Sequence, residues 1–333
     1  MSVAGLSDHE PVINVRDSCV ERNVLDVDGY ERTVAGVRIE GVRTGRGRGP
    51  NHVLAVSNDQ FTLSSCEVGF PMRNRTTLGD GQVILAHIDE GVPGSQWCEI
   101  GLETGSLIAY GPGAEHTAVN LPGLKFTFVA TDVDRLSRIA DDAGIVLDLP
   151  PRGEVVQLER SVRTSHIGTA FRTFAEAAQR RTEAANKAGM AVLPALINGF
   201  GLEGRRRCGG PRRSGIDSRH VVHQCLDYAD VTQSIPSIPE LCLVASVSER
   251  CLRRAFTDEF DMPPSQFFRA WALTTAHRLL QTVETDSLTV TEIAVGIGFG
   301  HLGRFAAAYR GLYGEPPSTT LYRARTQRVS SVN

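Results

Sequence analysis

The stretch TVTEIAVGIGFGHLGRFAAAYRGLYGEPPS, Thr289 to Ser318, decides how the C-terminal third of the chain folds. Thr289-Val290-Thr291-Glu292 has the form of a capping box, in which a hydroxyl and a carboxylate three residues apart satisfy backbone N–H groups at a helix start. Ile293 and Ala294 open a short apolar helix. Gly296-Ile297-Gly298-Phe299-Gly300 cannot continue it, because each glycine costs about 1 kcal/mol relative to alanine inside a helix. The segment from His301 to Arg310 is a second helix, with Phe305 and Tyr309 four apart on its inner face. A short helix, a tight turn and a helix with a polar outer face make a helix-turn-helix.

The arrangement occurs twice. Ser237-Ile238-Pro239-Glu240 is another capping box, with proline tolerated in the first turn. Leu241, Cys242 and Val244 lie on a short helix, Ala245-Ser246-Val247 makes the turn, and Ser248 caps the helix from Glu249 to Phe256. Leu252 and Phe256 face inward, and Arg250, Arg253 and Arg254 lie off that face. Cys242 and Ala294 occupy the position of close helix approach, which accepts only a small side chain. The copies lie 52 residues apart, joined by a helix over about Pro264 to Val283 with an apolar stripe through Phe267, Phe268, Trp271, Ala272, Thr275, Leu279 and Leu280. A further helix, about Ser218 to Asp230, precedes them. Two such modules on one rigid helix can enter successive major grooves, about 34 Å apart.

The candidate contacts to double-stranded DNA are Ser248, Arg250, Arg253 and Arg254 in the first module and His301, Gly303, Arg304 and Arg310 in the second. An Arg on guanine contributes about 1–3 kcal/mol of discrimination. Ala306, Ala307 and Ala308 cannot hydrogen-bond bases, so the first module is expected to carry most base readout and the second to act through phosphates and shape.

Ahead of these modules the pattern is different. Short apolar runs such as QVILAHI (Gln82–Ile88), SLIAY (Ser106–Tyr110) and KFTFVA (Lys125–Ala130) are separated by LGDGQ, YGPGAEH and NLPGLK. Many short strands punctuated by Gly and Pro predict a sandwich or barrel over 29–160. Residues 1–28 show little periodicity and are expected to form an arm. A helical connector follows over 161–202, packing on the barrel or on a second copy of the chain. Glu203 to Ser218, rich in Gly and Arg, predicts a flexible basic linker, whose arginines either touch phosphates or are solvated. The DNA-binding unit spans 219–326, and the fold class is α+β, multidomain.

Composition agrees. The chain has 333 residues, 41% hydrophobic and 22% charged, with a net charge of −3. From Arg205 onward there are 16 basic and 12 acidic residues, leaving 19 and 26 before it. An acidic front and a basic back suit a sensor attached to a polyanion binder. No apolar run approaches the roughly 20 residues needed to cross a bilayer, and the N-terminus lacks a basic n-region and apolar h-region, so no membrane contact and a cytoplasmic location are expected. The seven cysteines show no C-x-x-C pair, which points away from a disulfide framework or zinc site.

The C-terminal unit resembles the AraC/XylS family of bacterial transcription regulators over about 100 residues, through SERCLRRAFTDEFDMPPSQFFRAWALTTAHRLL and the Ile293–Phe299 element with its following F-x-x-x-Y and Pro-Pro turn. The resemblance implies a cupin-like β-barrel sensor, a helical connector and a DNA-binding unit that recruits or blocks RNA polymerase. Glu103 to Leu136 resembles sensor domains of ethanolamine-operon-type regulators. Three departures stand out. Asp261 replaces a usual Gly, Ala272 replaces a common Arg, and the second recognition helix is poor in polar groups. A small-molecule effector is expected in a pocket lined by Phe61, Trp97, Tyr110, His116, Phe126 and Phe128; ordinary core is the alternative for each. A homodimer is possible, and a barrel that only dimerises is a second reading of the front domain. A DNA-linked cupin enzyme would need converging metal ligands, but His52, His87 and His116 lie on separate runs and no H-x-H pair occurs. No catalytic residue, metal or cofactor is expected.

Overall fold

The computed structural model of the chain describes residues 18–24, 37–47, 49–57, 61–158, 166–171, 173, 197, 200, 205–207, 217–282 and 288–331. Its first half contains two antiparallel sheets. The larger runs, in spatial order, β1 (Ser18–Val24), β3 (Asn51–Ser57), β4 (Thr62–Glu67), β11 (Lys125–Asp132), β6 (Gln82–Glu90), β9 (Leu107–Tyr110), β12 (Val155–Leu158) and β13 (Arg205–Arg207). The smaller runs β2 (Val37–Arg43), β5 (Met72–Leu78), β10 (Glu115–Asn120), β7 (Gln96–Trp97) and β8 (Ile100–Gly101).

The sheets face each other across a core that includes Val37, Ile39 and Met72 from one and Val53, Ile84 and Ile108 from the other. The far face of the larger sheet is also covered. Leu63, Leu85 and Val129 pack there with Leu136 and Ala140 of α1 (Val133–Asp142) and with Ile167, Phe171, Ile197 and Phe200. Two covered faces explain why these strands are more hydrophobic than strict alternation requires.

The expected closed barrel is corrected to two facing sheets: among the described residues no strand pairs from one sheet to the other. Short apolar strands between Gly-rich turns suit both architectures. What separates them is where the sheet edges go, and here β1 and β13 extend the larger sheet outward. Both lie in segments read as irregular. Ser18 to Val24, in the expected arm, pairs antiparallel with Asn51 to Ser57. Arg205 to Arg207, in the expected linker, pairs with β12 in the register Leu158 to Arg205. Edge strands held by backbone bonds need no apolar period, so the sequence pattern does not flag them. The rest of the arm, Arg212 and Arg213, and most of the connector lie outside the described residues. The described part of the connector packs on the larger sheet.

The C-terminal helices are α2 (Ser218–Thr232), α3 (Ile238–Val244), α4 (Glu249–Phe260), α5 (Pro264–Thr282), α6 (Val290–Ile297), α7 (Leu302–Tyr313) and α8 (Pro317–Ser331). Their core is aromatic. Phe256 meets Phe267 and Phe268 at centroid distances of 5.5 Å, and Phe260 stacks on Phe267 at 4.5 Å. Val42 of β2 is fully buried in this same core, so the outer face of the smaller sheet packs on the helical unit. Among the described residues no helix is long and apolar enough to cross a membrane.

Candidate DNA-binding unit and an adjoining cavity

Each module is built by local chemistry. In the first, Ser237 N–H donates to Glu240 Oε2 at 2.8 Å, and Ser237 Oγ accepts from Glu240 N–H, closing the capping box of α3. In the second, Thr289 and Glu292 do the same for α6. The turn is left-handed in both: Ser246 has φ 51° and Gly298 φ 107°. The two copies then fall out of step. Thr289 follows Ser237 by 52 residues, but the helix caps after the turn, Ser248 and His301, are 53 apart, as are the C-caps Asp261 and Gly314. The second turn is one residue longer, so Gly303, Ala306 and Ala307 take the places of Arg250, Arg253 and Arg254.

The proposed contact residues all reach solvent. Ser248, Arg250, Arg253 and Arg254 are exposed on α4, and His301, Gly303, Arg304 and Arg310 are exposed on α7. Ser248 Oγ caps α4 by accepting from Cys251 N–H at 3.3 Å, whereas His301 makes no side-chain cap. Two of the three α4 arginines are engaged within the helix. Arg253 grips Glu249 with Nε at 2.9 Å and Nη2 at 2.6 Å, and Arg254 lies 3.5 Å from Asp258. Arg250 has no such partner among the described residues. Sequence inspection passed over Glu249, although its i, i+4 spacing to Arg253 was the available signal.

The departures noted in the sequence resolve structurally. Asp261 adopts φ 51° and bonds Thr257 O at 2.9 Å, ending α4 in the left-handed turn that Gly314 makes for α7. Ala272 is fully buried, so nothing at that position reaches a phosphate.

Between the sheets lies a cavity with about 680 Å³ of space, part of it continuous with solvent. Trp97, Tyr110, His116, Phe126 and Phe128 line it. Phe61 does not. It shares the face of Leu63 and is buried on the other side of the larger sheet, because the strand alternation that follows places residues 61 and 63 together. Trp97 and Phe126 meet edge-to-face at 5.0 Å, and Tyr110 and His116 lie 5.0 Å apart. Burial, aided by Arg219, pushes the His116 pKa down to about 3, so the ring is neutral. His52 and His87 lie elsewhere, and His87 bonds Asp89 at 2.7 Å.

The strand β10 joins cavity and helices. His116 and Asn120 point into the cavity, and the intervening Thr117 points the other way, donating to Glu259 Oε2 at 2.5 Å. Glu259 lies in the last turn of α4, buried, with Arg219 Nε 3.9 Å from its other oxygen. Burial raises its pKa, against the opposing pull of the Thr117 hydroxyl and Arg219. On β5, Arg73 Nε donates to Phe260 O at 2.8 Å, placing a cation on the C-terminal end of α4, where the helix dipole favours it. Arg75, also on β5, bonds Glu40 at 2.5 Å and Asp227 of α2 at 3.3 Å. Arg43 N–H donates to Thr274 Oγ1 of α5 at 3.2 Å. The alternating arginines of MRNRTT mark an outward sheet face, but nothing in the sequence says what covers it.

Comparison with known proteins places the helices. Residues 241–323 match the model of a helix-turn-helix domain. The chain is 37% identical over 122 residues to the XylDLEGF operon transcriptional activator 2 of Pseudomonas putida, covering 36% of this chain and 77% of that protein. It is 34% identical over 91 residues to the XylDLEGF operon transcriptional activator of the same organism, where the match covers 27% of this chain and only 28% of the relative. A solved structure of a probable AraC family transcriptional regulator from Rhodopseudomonas palustris CGA009 is 36% identical, with 31% of this chain and 96% of that one covered and a TM-score of 0.29. The chain therefore belongs to the AraC/XylS family of transcription regulators, with a helix-turn-helix DNA-binding domain and no enzymatic role.

Proposed function

We propose that the chain is an effector-responsive regulator that reads promoter DNA chiefly through α4 and takes a small molecule into the cavity between its sheets. The observation that carries this is the alternation along β10: neighbouring residues face the cavity and the buried end of α4, with Thr117 bonded to Glu259 at 2.5 Å. An occupant that shifts β10 also shifts the support of α4. On this reading 29–160 is the cupin-like sensor, 161–202 the connector and 219–326 the DNA-binding domain, acting in the cytoplasm. The relatives' role as operon activators supports RNA polymerase as the downstream partner, and a pair of copies would match a two-part operator.

Arg250 is the leading base-reading residue because it alone of the α4 arginines is exposed without a partner among the described residues. Arg253 and Arg254 follow once DNA replaces their carboxylates. Selection of bound sequences from a random duplex pool, with the parent and with Arg250→Ala, tests this. The expected result is lost preference at one or two base pairs. An unchanged preference removes Arg250 from base readout.

A further inference from the structure

We infer that the cavity takes an uncharged molecule with an aromatic ring and an acceptor oxygen such as a carbonyl, rather than a carboxylate or an ammonium ion. This rests on the effector reading above and adds the chemical class.

Charge supplies the first argument. Among the described residues no Asp, Glu, Lys or Arg lines the cavity. On the smaller sheet, Glu40, Arg75 and Glu115 stand on the alternate positions that face the helices, where Arg75 reaches Asp227 of α2. His116 cannot stand in as a counter-ion, since it is buried and neutral. An ion entering here would lose its water and meet no opposite charge among the described residues, a cost that neutral donors offset only in part.

Hydrogen bonding supplies the second. Trp97 Nε1 donates to Asn120 Oδ1 at 2.9 Å, Asn120 Nδ2 to Asn74 Oδ1 at 2.8 Å, and Asn74 Nδ2 to Thr76 Oγ1 at 3.0 Å. The chain of bonds runs in one direction and ends at a hydroxyl whose oxygen already accepts. Its proton is left to donate, and each amide keeps a second N–H. The polar corner of the cavity is therefore rich in donors and calls for an acceptor. His116 adds Nδ1, buried without a hydrogen-bond partner among the described residues and a donor in the tautomer that places the ring proton there. Trp97, beside this corner on the smaller sheet, and Phe126, on the facing sheet, meet edge-to-face at 5.0 Å and offer aromatic surface to a flat ring.

Four probes, each built on one benzene ring, test the class on the full-length chain by calorimetry and thermal shift: acetophenone and 1-indanone as neutral acceptors, benzoate as the anion, and phenyltrimethylammonium as the cation. The expected result at neutral pH is saturable binding of the ketones, with benzoate and the ammonium at least tenfold weaker. Thr76→Val keeps the shape and removes the terminal donor, and should weaken ketone binding about tenfold. Ala86→Phe fills the cavity and should abolish it. Benzoate or the ammonium matching the ketones overturns the class but leaves an effector site in place. Ketone binding unaffected by either variant removes the site from this cavity, as does silence from both ketones. Ketone binding in the cavity with no change in DNA affinity overturns the effector reading instead and leaves the class standing.

Discussion

Thr117 of β10 donates its hydroxyl proton to the carboxylate of Glu259 in α4 at 2.5 Å, joining residues 142 positions apart. The bond lies where the smaller sheet meets the helical unit, and both side chains are buried. Thr117→Val has nearly the same shape but leaves the carboxylate short of a donor. The expected loss is about 1–3 kcal/mol, the usual penalty for an undersupplied buried acceptor. Thermal denaturation measures it. A melting temperature equal to the parent's means the carboxylate is satisfied by other groups.

Glu259 also gives stability a pH dependence. Its folded pKa is raised by burial above the ordinary 4.5. The folded chain therefore keeps a proton that the unfolded chain has released. That contribution is fully present below the ordinary value and is lost as pH rises through the raised one. Glu115, raised by burial in the same interface, acts in the same direction. Glu259→Gln retains an acceptor for Thr117 and carries no charge. Its melting temperature relative to the parent should increase as pH rises through this window. A difference that stays flat from pH 4 to pH 7 shows that the carboxylate does not titrate there.

Glu249 holds Arg253 in the free protein and stands on the face of α4 assigned to DNA. Neutralising it frees a cation and removes an anion from the approach to phosphate. Glu249→Gln should bind duplex DNA of any sequence more tightly than the parent, with a steeper dependence on salt. The change should be a few-fold in Kd by fluorescence anisotropy, because an exposed pair of this kind contributes only about 0.3–0.5 kcal/mol. Unchanged or weaker binding means that Arg253 works best when held.

The two turns should respond differently to the same substitution. Ser246, at φ 51°, occupies left-handed space open to side chains, and Ser246→Ala should alter stability little. Gly298, at φ 107°, lies outside that well, and a Cβ there would meet Ile235 N at 3.4 Å. Gly298→Ala should cost about 1–3 kcal/mol. Equal melting temperatures for the two variants show that the longer second turn relaxes to accept a side chain.

What the sequence made legible was local. Capping boxes, inward pairs such as Leu252 with Phe256, and the turn glycines each depend on residues within one or two helical turns, so their chemistry can be read in order. Five of the six aromatic and histidine residues assigned to a pocket do line the cavity, because strand alternation is also local. Phe61 failed on that same alternation, being one position out of phase with the cavity face. Long-range features stayed hidden. An edge strand such as Arg205 to Arg207 is held by backbone bonds that any side chain permits. Nothing in the sequence signals that Arg73 meets the end of α4, 187 positions away.

The two-faced strand β10 has a thermodynamic consequence. Linkage between two binding events is reciprocal: a ligand that changes affinity for DNA by some factor has its own affinity changed by DNA by that factor. α4 is held at its buried end by Thr117 of the cavity-lining strand β10 and by Arg73, whereas α7 meets the front half of the chain through the Arg43 guanidinium, 5.2 Å from the Tyr313 ring. On the proposed reading, DNA sequences that load the first module more heavily would perturb β10 and the cavity more. On that reading the operator would act as an effector in its own right. Promoters bound by one and the same protein would respond at different concentrations of one small molecule, each threshold written in the base pairs beneath α4.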